Sequence, residues 1–90
     1  MDLVQTLFSL EILRALKKGR RTREWFKGMR PDEQRRKEAT EYLVTHAYIE
    51  EHKNARIPFQ LTQKGATFIQ DHIKSWTDVW EAKKIADKFE

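Results

Sequence analysis

Positively charged side chains are concentrated in one stretch of this 90-residue sequence, between residues 14 and 37. The stretch holds eleven Lys or Arg against three acidic residues, a net charge of +8; because the whole chain carries +4, the remaining residues sum to −4. Such a division concentrates positive potential on one side of a folded chain and favours a polyanionic partner. Phosphates of a nucleic acid are bound by Lys and Arg in this way. The alternative is a solvated, charged surface without a ligand.

Candidate catalytic and metal-binding residues are few. The three histidines, His46, His52 and His72, show neither the H-x-x-x-H nor the H-E-x-x-H spacing that directs two ring nitrogens to one metal ion. The chain has no Cys, which excludes thiol catalysis, Cys-ligated zinc and disulfides. Its sequence contains no nucleophile motif and no phosphate-binding Gly loop. We therefore predict a protein that is not an enzyme and that uses no metal and no cofactor.

Length and composition indicate one folded domain. Hydrophobic residues make up 39% of the chain and charged residues 36%, a balance typical of folded proteins rather than of disordered ones. No apolar run reaches the roughly 20 residues of a membrane span. Gln5, Thr6, Ser9 and Glu11 interrupt the apolar stretch that a signal peptide needs. We expect an intracellular, cytoplasmic protein with no membrane partner.

Helical periodicity describes the first half of the chain. Apolar residues between 2 and 18 cover two adjoining faces of a first helix, which Gly19 ends. Thr22 is suited to cap a short second helix. Pro31 fits the first turn of a third helix that runs to about His46. Because the apolar surface of the first helix is so wide, we expect other elements to cover it from two sides.

The pattern changes after the third helix. Ile49 in one segment and Phe59 in another alternate with polar residues, as the two arms of a β-hairpin do. In the stretch FQLTQKGATFIQ this alternation gives way to helical spacing, so Thr62 is predicted to cap a last helix that extends to near the end of the chain. Gly65, in the first turn, indicates a close approach by a neighbouring element. The predicted fold class is α+β, mainly helical with one small hairpin.

Two segments resemble the winged helix-turn-helix family. THAYIEEH is similar to the end of that family's recognition helix and its exit into the hairpin. FQLTQKG is similar to the second wing strand followed by the L-T-x-K-G start of a C-terminal helix. The pairing is familiar from PadR-like and MarR-like regulators and from small archaeal or archaeal-virus proteins with a helical dimerisation tail, and it covers roughly residues 5 to 75. The family usually has Gly after the third helix, where this chain has Ala47; in a left-handed turn that Ala costs about 1 kcal/mol.

The charge pattern and the resemblance both indicate double-stranded DNA as the partner. The exposed face of the third helix would enter the major groove, where Gln, Lys and Glu side chains read base edges. Basic residues before the second helix suit phosphates, and those of the hairpin turn can follow the backbone or the minor groove. We expect DNA contacts from Arg20, Arg21, Thr22, Arg23, Gln34, Arg35, Lys37, Glu38, Glu41, His52, Lys53, Asn54 and Arg56. For Glu38 and Glu41, the alternative is pairing with neighbouring side chains on a solvated face.

A second copy of the chain is the other expected partner. The last helix carries two apolar stripes, and a small domain cannot cover both of them together with the outer face of the first helix. By the resemblance, residues 1–62 form a winged-helix core and residues 63–90 a dimerisation helix. We expect a homodimer interface formed by Val4, Phe8, Ile69, Ile73, Trp76, Val79, Trp80 and Phe89. The alternative is a last helix folded back on its own chain.

Taken together, these features favour a homodimeric regulator of transcription whose recognition helix reads double-stranded DNA. The resemblance implies an archaeal or viral setting, with the protein on the nucleoid or in the host cytoplasm. No small-molecule effector is evident. A nucleoid-type architectural protein would share the fold and bind with little sequence preference. A winged helix used for protein–protein assembly is the alternative of a different class, motivated by Glu38 and Glu41 on the reading face.

Overall fold

Five helices and two strands follow one another in the computed structural model, which describes residues 1–19, 23–27, 33–53, 56–74, 76 and 79–89, without the side chains of Arg23 and Lys27. In chain order they are α1 (Leu3–Lys18), α2 (Arg23–Lys27), α3 (Glu33–Thr45), β1 (Ile49–Glu51), β2 (Phe59–Leu61), α4 (Gln63–His72) and α5 (Val79–Ala86). The strands form an antiparallel pair in which Ile49 lies opposite Leu61 and Glu51 opposite Phe59. The predicted α+β class and the order of three helices followed by a hairpin are confirmed.

Helix α1 lies at the centre of the core. The Asp2 carboxylate caps it by accepting a hydrogen bond from the Gln5 amide at 2.7 Å, and Gly19 ends it in the left-handed region at φ 88°. Ile12 and Leu13, neighbours in sequence that face different ways, are both fully buried. Helix α1 is contacted by α3, α4, α5 and β2. The wide apolar surface of α1 is therefore covered from more than one side by its own chain.

Helix α3 ends in a left-handed turn at Ala47, where φ is 62°. The Ala47 amide donates to the Val44 carbonyl at 3.0 Å, and the Tyr48 amide donates to the Leu43 carbonyl at 2.9 Å. These bonds satisfy carbonyl groups that the helix end leaves without partners. The turn then carries Tyr48 and Ile49 into the core. The chain thus accepts the backbone conformation for which the winged-helix family usually has Gly.

The first turn of α4 is bonded to this exit. The Thr62 hydroxyl accepts from the Gly65 amide at 3.1 Å, as predicted for a cap, and it donates to the Ala47 carbonyl at 2.5 Å. The Lys64 ammonium donates to the His46 carbonyl at 2.8 Å. Both side chains therefore satisfy carbonyl groups at the end of α3, and they dock α4 against it.

Gly65 lies against the backbone of Tyr48, and the predicted close approach is confirmed. A Cβ built on Gly65 would fall well inside contact distance of the Tyr48 carbonyl oxygen, 3.1 Å from its carbonyl carbon and 3.3 Å from Leu61 Cδ2. The same Tyr48 oxygen accepts from the Thr62 amide at 3.2 Å, so it cannot move away without losing that bond. The switch from strand to helix therefore depends on a residue without a side chain at position 65.

The C-terminal part differs from the single long helix that was predicted. Helix α4 stops at His72, with Ile73 in an extended conformation, and α5 begins at Val79. The intervening sequence, KSWTD, contains Ser, Thr and Asp, which favour caps and turns over helix interiors. The break allows α5 to fold back on α1 and to bury Ala82 and Ile85. Burial of this apolar stripe within the chain favours two short helices over one long one.

The substitution Gly65→Ala is expected to lower the free energy of unfolding by about 2 kcal/mol, because the new methyl group meets the Tyr48 carbonyl. The better helix propensity of Ala would otherwise stabilise α4 by about 0.5–1 kcal/mol. Urea denaturation followed by circular dichroism measures the change. Gly19→Ala is the control: its Cβ meets nothing within 4 Å, so it should cost only the left-handed backbone, about 1 kcal/mol. A Gly65→Ala variant as stable as the wild type would contradict the close approach.

The substitution Ala47→Gly is expected to raise the free energy of unfolding by about 1 kcal/mol, because Gly adopts a positive φ without the penalty of a Cβ. The same exchange in the exposed interior of α4, Ala66→Gly, should lower it by about 1 kcal/mol. Denaturation curves of the two variants therefore shift in opposite directions. If both variants lose stability equally, the α3 exit is not left-handed.

Candidate nucleic-acid interface

The amino-terminal half of α3 presents two free cations to solvent. Arg35 and Lys37 are exposed, and neither side chain has a partner among the described residues. In sequence they lie on either side of Arg36, whose side chain is largely buried, so the side chains of Arg35 and Lys37 point outward in different directions. Side chains of this kind can neutralise phosphates or donate to the O6 and N7 atoms of guanine.

Gln34 and Glu38 form a hydrogen-bonded pair on the same face. The Gln34 side-chain nitrogen donates to a Glu38 carboxylate oxygen at 3.0 Å, one helical turn away. Glu38 therefore pairs with a neighbour, as the alternative interpretation expected, although the neighbour is an amide and not a cation. The pair leaves the Gln34 carbonyl and the second Glu38 oxygen as acceptors, which can receive the amino hydrogens of cytosine or adenine in a major groove.

A groove of about 290 Å³ separates α3 from the hairpin. Phe26, Thr40 and Phe59 form its apolar part, and the Phe26 and Phe59 ring centres lie 4.6 Å apart. Its charged side chains are Glu33, Lys37, Glu41 and Glu51. Glu41 and Glu51 are exposed, and the carboxylate of neither has a partner among the described residues. Since carboxylates repel phosphates, this side of α3 is unfavourable for a duplex. Lys37 lies at the boundary between this acidic flank, formed by Glu41 and Glu51, and the basic end that it forms with Arg35.

The hairpin tip holds three further residues of the predicted site. His52 Nε2 lies 3.3 Å from a Glu50 carboxylate oxygen and also contacts the side-chain amide of Gln60, so its ring is engaged on the outer face of the hairpin. Lys53 and Arg56 are exposed on either side of the turn. Two cations at a protruding tip are suited to phosphate contacts along a backbone.

Eight of the thirteen expected DNA-contacting residues have described side chains, and all eight are exposed. They fall into one group on α3 and one group at the hairpin: Gln34, Arg35, Lys37, Glu38 and Glu41, then His52, Lys53 and Arg56. Of Arg23 only the backbone is described, as the first residue of α2. The predictions for Arg20, Arg21, Thr22 and Asn54 lie outside the described residues.

Arg36 is the basic residue whose position the charge pattern did not reveal. It is one of the eleven basic residues of the stretch 14–37, but its side chain is only 11% exposed. The signal was present in the sequence, because Arg36 lies three, four and seven residues before Ala39, Thr40 and Leu43, which form the buried stripe of α3. Its charge therefore lies behind the proposed DNA face.

The residues expected at a dimer interface divide into three groups by their exposure, and two of the residues require a correction. Ile69 and Phe89 are 5% and 7% exposed, because the returning C-terminal segment packs Phe89 against Phe68 and other aromatic rings of the same chain. Val4, Val79 and Trp80 are 44%, 47% and 71% exposed. The half-buried members are Phe8, Ile73 and Trp76. The surface left for a second copy is therefore smaller than predicted.

No protein-family model, curated protein or solved structure matches the chain. In the described part of the chain, no helix combines the length and the apolar character needed to cross a bilayer. Within those same residues, no three His, Asp or Glu side chains are grouped as ligands for a metal ion. A function for this protein must therefore be inferred from its own charges and geometry.

Proposed function

We propose that the protein is a winged helix-turn-helix regulator of transcription that binds double-stranded DNA, with α3 as the recognition helix and the hairpin as the wing. The observation that carries the proposal is the exposed basic end of α3, where Arg35 and Lys37 have no partner among the described residues. Both residues belong to the stretch 14–37, whose net charge is +8. Helix α3 contacts α2 and strand β1 as well as α1, and these contacts hold it as a ridge that a major groove can accept.

The charge division on α3 favours one docking orientation. Recognition helices of helix-turn-helix proteins contact base edges with their amino-terminal residues. In this chain those residues are Gln34, Arg35 and Lys37, whereas Glu41 and Glu51 lie on the acidic flank. We infer that the amino end of α3 enters the groove and that the acidic flank tilts away from the phosphates.

We also propose that two copies of the chain bind DNA together as a homodimer. Val79 and Trp80 are consecutive and exposed at the start of α5, and large exposed apolar side chains of this kind favour burial in an interface. A two-fold dimer would place two α3 helices about 34 Å apart, in successive major grooves of a palindromic site. Selection of bound duplexes from a random pool tests this, because a symmetric consensus supports a regulator, whereas no consensus supports an architectural protein.

Assembly with another protein is the second candidate function. The groove between α3 and the hairpin favours it, because the half-buried Phe59, which packs on the buried ring of Phe26, offers apolar surface beside Glu41 and Glu51. The carboxylates of these two residues have no partner among the described residues. A partner segment with a basic side chain next to an apolar one fits this chemistry. Replacing Arg20, Arg21 and Arg23 together by Glu should abolish DNA binding and leave such an assembly intact.

Affinity for a duplex is expected to fall about a thousandfold between roughly 50 and 200 mM salt, if about six phosphates are neutralised. Fluorescence anisotropy with a labelled duplex measures this dependence. Lys37→Gln should reduce the slope of log affinity against log salt by about one, because it removes one cation that neutralises a phosphate. Lys84→Gln, on the exposed side of α5, is the matched control and should leave the slope unchanged. An affinity that does not vary with salt would contradict DNA binding through these cations.

The chain is expected to sediment at twice its own mass, and Trp80→Glu should return it to a monomer, because a charge cannot be buried in an apolar interface without a partner. Ile57→Glu, at an apolar residue of the hairpin with 39% exposure, is the control and should leave the dimer intact. Analytical ultracentrifugation across a concentration series gives both masses. Sedimentation of the wild type as a monomer at high concentration would rule out the dimer.

A further inference from the structure

The side chain of Arg36 connects three helices. One guanidinium nitrogen donates to a Glu11 carboxylate oxygen on α1 at 2.7 Å, and another donates to the Trp25 carbonyl on α2 at 3.0 Å. Its central carbon lies 4.5 Å from the centre of the Trp25 ring and 5.9 Å from that of Phe8. Arg36 therefore holds α2 against α3 and α1 by charge, by hydrogen bonding and by stacking.

Helix α2 needs such an attachment because it has only five residues. An isolated helix of that length is unstable, so its position depends on tertiary contacts. Phe26 provides one of them by inserting into the core, at 4% exposure. The contacts of Arg36 with the carbonyl and ring of Trp25, the middle residue of α2, provide another.

Joining helices through a largely buried guanidinium costs free energy. The guanidinium must be desolvated, and its Nε atom is buried without a hydrogen-bond partner among the described residues. Apolar side chains of similar volume often replace such groups without loss of stability. The benefit of Arg36 is therefore better sought in the position that it gives to α2 than in stability.

We propose that Arg36 is a positioning residue for DNA binding, which rests on the proposed function. Through Trp25 it fixes α2, and with it the backbone of Arg23, which is the first residue of that helix and one of the residues expected to contact DNA. The Arg36 side chain itself is engaged by α1 and α2, whereas the side chains of Arg35 and Lys37 beside it are exposed. Glu11 takes part by neutralising and orienting the guanidinium, so an acidic residue supports the binding of a polyanion.

The test compares Arg36→Met, which keeps an unbranched apolar stem between Phe8 and Trp25, with Lys37→Gln. We expect Arg36→Met to unfold at the same urea concentration as the wild type or a higher one, and to bind a duplex at least tenfold more weakly. Lys37→Gln leaves the attachment of α2 intact and should reduce the salt slope by about one. Unchanged affinity of Arg36→Met for the duplex would overturn the proposal.

For Glu11→Gln, the positioning role and a simple effect of net charge predict opposite changes in DNA affinity. Removing a negative charge strengthens DNA binding if only net charge matters. If Glu11 acts through Arg36, the variant binds several-fold more weakly, and the double variant with Arg36→Met binds no more weakly than Arg36→Met alone. Tighter binding by Glu11→Gln would overturn the proposal.

A measurement without DNA separates this proposal from the proposed function. Amide hydrogen exchange in Arg36→Met should be at least tenfold faster at residues 24–27 than in the wild type, with unchanged rates at residues 39–43 in the middle of α3. Failure of the wild-type protein to bind any duplex would refute DNA binding, while the exchange rates would still report on α2. Unchanged exchange at residues 24–27 would overturn the positioning role.

Discussion

The carbonyl groups at the end of α3 are bonded by the first turn of α4, and the position of the hairpin between these helices follows from that contact. Thr62 and Lys64 donate to the carbonyls of Ala47 and His46, and the Lys64 ammonium lies 4.4 Å from the centre of the Tyr48 ring. Because the chain must leave α3, form two strands and return to the same place, the hairpin has a fixed length and direction. Gly65 makes this return possible by leaving room for the Tyr48 carbonyl.

The two ends of α3 are thus held by different means. Backbone carbonyls and the first turn of α4 fix its carboxyl end, whereas Arg36, Trp25 and the short helix α2 brace its amino end. Between its two ends, α3 packs along α1 with its apolar stripe inward, so the charged residues on its opposite face are exposed to solvent. The division of that face into a basic end and an acidic flank gives the proposed DNA complex its orientation.

Local signals in the sequence were sufficient for much of this arrangement. Thr62 was predictable as a cap because a cap acts within one turn of its own position. Gly65 was predictable as a point of close approach because Gly weakens a helix, but its neighbour Tyr48 was not, since that residue lies in another segment of the chain. The return of α5 was not, because its apolar stripe is equally suited to its own chain and to a second copy. The acidic flank was missed because Glu41 and Glu51 are brought together only by the hairpin. No position was predicted for Arg36, although its spacing from Leu43 places it next to the buried stripe of α3.

Binding of DNA at the basic amino end of α3 can be observed residue by residue with nuclear magnetic resonance. Labelled protein is titrated with a short duplex at low salt, and the amide shifts are mapped onto the chain. The largest changes are expected at residues 34–37, with smaller changes at the hairpin near Arg56, and little change at residues 79–86. Changes centred on Glu41 and Glu51, or no changes anywhere, would contradict binding at the basic end of α3.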